Sequence, residues 1–312
     1  MDLNKHEIGD KIRQIRLSRN KTQSEICGDE ANISLRQLQR IEAGTSIPKI
    51  ETLYILASQL SVPVTNFFDS KSNLSKDYLL LKDKLVFLSL YDEQVFIEKQ
   101  KFIYEQIKHN HFDTLPQKEK DFFYFHQANS DISVNNNILK AKKILKENFC
   151  FEKLSKIEFF SINDLLLIKL KLYESIMTSN INDEFDNLIN LLISNSVKTI
   201  YIEAALVLDC FIIAINAYFK KGNINKVKLL LGISESIMIN NKLYHKQPIL
   251  KMIGAKIRLF YHNEKEKAAK LYNDAINVAN NQKNYKLEKK IKKEYQQDLE
   301  IYNAYTQLAK GS

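Results

Sequence analysis

The chain has 312 residues, 45% hydrophobic and 27% charged, which suits two or more domains with real cores and excludes a disordered tail or a small disulfide scaffold. Seven Gly and four Pro are too few for the turns of a β-sandwich or barrel, or for a Gly-lined nucleotide site, so the expected fold class is all-α. The net charge of +9 hints at nucleic acid but is unevenly placed: residues 1–70 balance at zero, 71–241 at +1 and 242–312 at +8.

Ile8, Ile12 and Ile15 recur at helical spacing and predict a first helix over Glu7 to Arg19. Thr22 followed by Glu25 reads as a capping box opening a short helix from Gln23 to Cys27, which Gly28 ends. After the linker Asp29 to Ile33, Ser34 is a second N-cap for a helix from Leu35 to Ala43, with Leu38 and Ile41 inward and Gly44 as the stop. Pro48 precedes a fourth helix that turns Ile50, Leu53, Leu56, Ala57 and Leu60 inward, and Pro63 opens a fifth through Phe68.

Five short helices, the second and third closely joined, predict a helix-turn-helix domain over residues 1–69. The run Thr22-Gln23, Cys27, Ile33-Ser34, Leu38, Ile41-Glu42 and Gly44 resembles the phage-repressor (XRE, Cro/CI-like) class, with a linker one residue longer than its commonest spacing. Of six Arg, five lie in the first 40 residues: Arg13, Arg16, Arg19, Arg36 and Arg40. Arg is the side chain whose fork reads guanine or grips phosphate bidentately.

A recognition helix reads bases from its start, so Ser34, Leu35, Arg36, Gln37, Gln39 and Arg40 are the candidate DNA contacts. Gln23, at the start of the second helix, is a candidate phosphate contact. Arg40 could instead pair with Glu42. A domain of zero net charge has little non-specific affinity, so a second copy and a near-palindromic double-stranded site are expected.

Residues 70–76 form a polar linker, and residues 77–312 read as antiparallel helices separated at Leu115-Pro116, Asn135 to Asn137, Asn180 to Asp183, Gly222-Asn223 and His262-Asn263. Phe185/Leu188, Val227/Leu230 and Ala268/Leu271 repeat at offsets of 42 and 41 residues. The copy around Ala268, Leu271, Tyr272, Ala275 and Ile276 resembles the second helix of a tetratricopeptide (TPR) repeat, which predicts a TPR-like α-solenoid. Its concave face suits an extended peptide, for which Tyr173, Asn216, Tyr218, Tyr244, Lys251 and Tyr261 are candidate contacts. The Lys-rich stretch Lys283 to Lys293 reads either as a solvated face or as attracting a ligand carboxylate or DNA phosphate.

The N-terminus lacks a signal-peptide core and no run of 18 apolar residues occurs, so a cytoplasmic protein without membrane contact is expected. Cys27, Cys150 and Cys210 lack CxxC spacing and read as buried free thiols, and the His109/His111 pair lacks further ligands, so no metal or cofactor is expected. No phosphate-loop, HExxH or nucleophile-elbow pattern marks an enzyme.

The order of XRE domain, connector and degenerate TPR array resembles the RRNPP peptide-pheromone receptors. Ser34-Leu35-Arg36-Gln37-Leu38-Gln39-Arg40-Ile41-Glu42 and Phe160-Ser161-Ile162-Asn163-Asp164-Leu165-Leu166-Leu167 look most like the ComR branch of the Rgg-like regulators. The resemblance implies a quorum-sensing regulator of competence or bacteriocin-type genes that binds a short, imported, hydrophobic signalling peptide. It also implies an apo monomer that becomes a homodimer on DNA, with an autoinhibitory latch for which Glu119 and Arg36 are the expected pair. The alternative is a peptide-independent XRE-family repressor whose helical domain serves only for dimerisation.

Overall fold

The computed structural model describes residues 5–28, 33–67, 74–88, 93–196 and 201–308. The expected linker residues Asp29 to Asn32 and 70–73 lie outside them. Among the described residues every regular element is helical. The chain divides into two compact units, Met1–Leu79 and Leu80–Ser312.

The first unit holds α1 (Lys5–Ser18), α2 (Gln23–Cys27), α3 (Leu35–Glu42) and α4 (Ile50–Leu60). Of the expected fifth helix, Val64–Phe67 form a 3-10 turn, and Phe68 lies outside the described residues. Ile8, Ile12, Ile26, Leu38, Ile41, Leu53, Leu56 and Phe67 meet in one core. The caps follow from local chemistry: Thr22 accepts from the Glu25 backbone while the Glu25 carboxylate accepts from Thr22 N–H, and Ser34 accepts from the Gln37 backbone. Ala43 caps α3, and Gly44 takes the left-handed φ of 65° just beyond it.

Gly9 lies where α1 crosses α3, and a Cβ built there would stand 2.1 Å from the carbonyl oxygen of Ile41. The two helices therefore touch backbone to backbone, which only glycine permits.

The second unit runs through α5 (Lys76–Phe87), α6 (Glu93–Asn110), α7 (Gln117–Asn135), α8 (Leu139–Asn148), α9 (Phe151–Leu154), α10 (Ile162–Met177), α11 (Asp183–Ser196), α12 (Tyr201–Lys220), α13 (Ile224–Asn240), α14 (Gln247–Phe260), α15 (Lys265–Asn281) and α16 (Tyr285–Leu308). Helix α5 begins four residues before the division between units. The breaks expected at Pro116, Asn136, Gly222 and Asn263 all fall between helices, the last three residues in left-handed conformation. The repeating pairs Phe185/Leu188 and Val227/Leu230 lie buried on α11 and α13, and Ala268 is buried on α15. Each is the second helix of a hairpin, α10/α11, α12/α13 and α14/α15, and α10 also packs on α7 and α12.

Among the described residues only α12, from Ile202 to Lys220, is long and apolar enough to cross a membrane by length and composition. It carries Glu203 and Asp209, and most of it is buried inside the solenoid, as in a core helix. Cys27 and Cys210 are buried, with burial raising the Cys210 thiol to about 12. Cys150 departs from expectation: it is only half-buried and its thiol donates to Glu152 at 3.2 Å.

Candidate functional site

Two surfaces are candidates for function, one in each unit. On α3, Leu38 and Ile41 are consumed by the core, which turns Arg36, Gln37, Gln39 and Arg40 outward into solvent. Ser34 is half-buried and Leu35 packs partly against the core, so less of it faces outward than the sequence suggests.

Beneath this face lies a polar cluster that sequence reasoning missed. Arg16 of α1 donates from Nε and Nη2 to the two oxygens of Glu42, at 2.7 and 2.8 Å, and from Nη1 to the Lys21 carbonyl. Gln23 donates its side-chain amide to Glu42 Oε2 at 2.8 Å. Both charged residues are buried, and the bidentate geometry ties α1 and the start of α2 to the end of α3. Burial pushes the Glu42 carboxyl up, but the bonds from Arg16 and Gln23 and the charges of Arg16 and Arg13 outweigh it and leave the group below its ordinary range. Glu42 is therefore the partner of Arg16 rather than of Arg40, and part of the Gln23 amide is already spent inside the protein.

In the second unit, a cavity of about 440 Å³ opens between α5, α6, α7, α10, α12, α14 and α16. Tyr173 and Asn216 line it, so the structure unites two of the six candidate peptide contacts. The other four lie elsewhere. Tyr218 is buried, donates to Asp186 at 2.5 Å and packs edge-on to Phe185, so it belongs to the core. Lys251 pairs with Asp274 at 3.6 Å, Tyr261 packs against Phe219, and Tyr244 stands exposed with its carbonyl accepting from Gln282.

Three features of the cavity escaped the sequence. Asp209 accepts from Lys169 at 2.9 Å and from Lys246 at 2.6 Å, a triad with one positive charge in excess, and Lys290 adds another at the wall. Burial raises the Asp209 carboxyl, but the two ammonium groups override it and hold the carboxyl well below the usual range. Asn129 is buried, with its amide nitrogen given to the carbonyls of Phe125 and Leu166 and its Oδ1 without a partner. Asn129 itself lines the cavity, but its Oδ1 is sealed from the open space. His126 completes this wall between Leu85 and Tyr104.

The latch candidate Glu119, on the first turn of α7, receives Lys82 of α5 at 2.7 Å, and both side chains are largely buried. Lys82 also stands 4.6 Å over the Phe122 ring.

A ComR tetratricopeptide family model matches residues 75–295, and a helix-turn-helix model matches residues 12–67. The chain belongs to the ComR tetratricopeptide family. ComR from Streptococcus suis is 26% identical over 95% of this chain and 96% of its own, with a TM-score of 0.58. ComR from S. thermophilus, solved in complex with DNA and its signalling peptide ComS, shares the fold at 22% identity and a TM-score of 0.69, covering 93% of this chain and 99% of its own. So does PlcR from Bacillus thuringiensis, solved with the peptide PapR7 and DNA, at 14% identity and a TM-score of 0.57, covering 92% of this chain and 99% of its own. No curated protein matches the chain. This ComR-type chain is thus a ComR/Rgg-like regulator of the RRNPP group.

Proposed function

We propose that this protein is a cytoplasmic quorum-sensing regulator: a short imported peptide binds in the central cavity, and a dimer of the chain then binds promoter DNA through α3. The observation that carries the reading is the cavity itself, with its lysine-rich wall. The Asn216 amide and the Tyr173 phenol on its lining suit a peptide backbone, and the surplus ammonium charge of Lys169, Lys246 and Lys290 suits a free carboxylate. An array that served only to dimerise would have no use for either. The helix-turn-helix supplies the output, with Arg36 and Arg40 reading or gripping one groove, and Gln37, Gln39, Leu35, Ser34 and Gln23 beside them. Competence or bacteriocin-type genes are the expected targets.

Glu119 is the proposed latch for Arg36 in the peptide-free protein. Carrying the molecule from 1:99 to 99:1 in favour of the open state requires about 5.5 kcal/mol of differential peptide affinity, so the peptide must touch groups whose arrangement differs between the states.

The test is fluorescence polarisation of labelled promoter DNA, titrated with the full chain and with synthetic peptides drawn from small secreted reading frames beside the gene. A cognate peptide raises the affinity for DNA and shifts the chain to a dimer. DNA binding that no such peptide alters favours the peptide-independent repressor instead.

A further inference from the structure

Of the cations on the first unit, Arg16 is spent: its guanidinium is bonded to Glu42 and to the Lys21 carbonyl, and its side chain is only 9% exposed. Arg13, one turn earlier on α1, is in the opposite position. It is exposed and makes no hydrogen bond or ion pair among the described residues. It lines an open groove of about 520 Å³ with Thr22, Gln23, Gln39, Ala43 and the Arg16–Glu42 pair.

The groove's charge balance favours an anion. Glu42 is the one carboxylate in it, with its oxygens engaged by Arg16 and Gln23, so Arg13 contributes an uncompensated positive charge. Around that charge stand the side-chain amides of Gln23 and Gln39, donors that suit an oxygen-rich ligand. Gln39 shares the exposed face of α3 with Arg36 and Arg40, so the groove forms the α1-side border of the surface assigned to DNA.

We propose that Arg13 grips a backbone phosphodiester of the promoter duplex in this groove, positioning α3 without reading sequence. The assignment rests on the DNA-binding reading above, which it deepens by giving α1 a direct contact. A guanidinium that neutralises a phosphate releases condensed counterions, so its removal changes the salt dependence of binding as well as the affinity.

The experiment compares wild type, Arg13→Ala, Arg13→Lys and Arg36→Ala on the promoter duplex and a scrambled duplex from 50 to 300 mM KCl. Arg13→Ala is expected to weaken binding to both duplexes by a similar factor, about 3- to 10-fold near 150 mM. It should also reduce the slope of log K against log salt by about one per protomer bound. Arg13→Lys keeps the slope. Arg36→Ala loses the preference for the promoter duplex. Binding by Arg13→Ala with unchanged affinity and slope, or a loss confined to the promoter duplex, overturns the phosphate assignment alone. A wild-type chain that binds neither duplex even when the synthetic peptides are present overturns the DNA reading and the assignment together.

Discussion

His126 donates from Nε2 to the backbone carbonyl of Leu85 across 3.2 Å. Since a carbonyl can only accept, the other ring nitrogen carries no proton and accepts the Tyr104 hydroxyl at 2.8 Å. One neutral imidazole thus stitches α5, α6 and α7 together at the wall of the central cavity. Helix α5 itself begins in the first unit.

Burial, followed by the nearby Lys169 charge, lowers the His126 pKa to about 4. The unfolded chain titrates this side chain near 6.5, so between pH 6.5 and about 4 it binds more protons than the folded chain. Stability therefore falls with pH through that window, by up to about 3 kcal/mol from this group, and is insensitive to it above 6.5. Urea unfolding from pH 7.5 to 4.5 should show the loss, and a shallower dependence in His126→Gln. Parallel profiles for the two proteins would contradict it.

Removing Glu42 strands the Arg16 guanidinium in a buried site. Glu42→Ala should destabilise the first unit by about 3–5 kcal/mol, whereas the paired change Arg16→Met with Glu42→Leu should recover most of that loss. Thermal unfolding followed by circular dichroism distinguishes them, and equal losses in the single and paired variants would show that the charges themselves are required.

Gly9→Ala places a methyl group against the Ile41 carbonyl, a backbone atom that cannot rotate away. The helices must part, at a cost of about 3 kcal/mol, and α3 must shift. Lower thermal stability together with weaker promoter binding is the expected result, and wild-type values for both would refute the close approach.

Asn216→Leu retains the bulk of a cavity-lining side chain but removes its amide. Affinity for the activating peptide should fall about tenfold, corresponding to one hydrogen bond of roughly 1.4 kcal/mol, while Tyr244→Phe, outside the cavity, leaves it unchanged. Labelled-peptide polarisation reads both, and the reverse ranking would move the peptide to another surface.

Glu119→Ala should raise DNA binding in the absence of peptide, because it removes the proposed partner of Arg36. It also frees Lys82, so Lys82→Met serves as the control for the α5–α7 pairing. Equal apo affinities in wild type and Glu119→Ala would eliminate the latch.

What could be read from the sequence was local. Thr22, Ser34, Gly44 and the Leu38/Ile41 spacing act within a turn or two of themselves, so their signals survive without tertiary context. Arg16 and Glu42 are 26 residues apart, and Asp209 meets lysines 40 and 37 residues away, partnerships that no short-range pattern records. Tyr218 and Tyr173 look alike as aromatics on apolar helices. Only packing shows that Tyr218 fills the core against Phe185 while Tyr173 lines the cavity. Asn129 carried no signal at all, because only packing leaves its acceptor unpaired.

The contact of Gly9 with Ile41 makes α1 and α3 a single rigid body, and that body carries Arg13 on one part and Arg36 on the other. The side chain proposed to grip the sugar-phosphate rail and the one proposed to probe base edges are then held at a fixed span, like the jaws of a caliper. The width of the groove becomes part of what is measured, and duplexes with identical contacted bases but different flanking stiffness should be told apart.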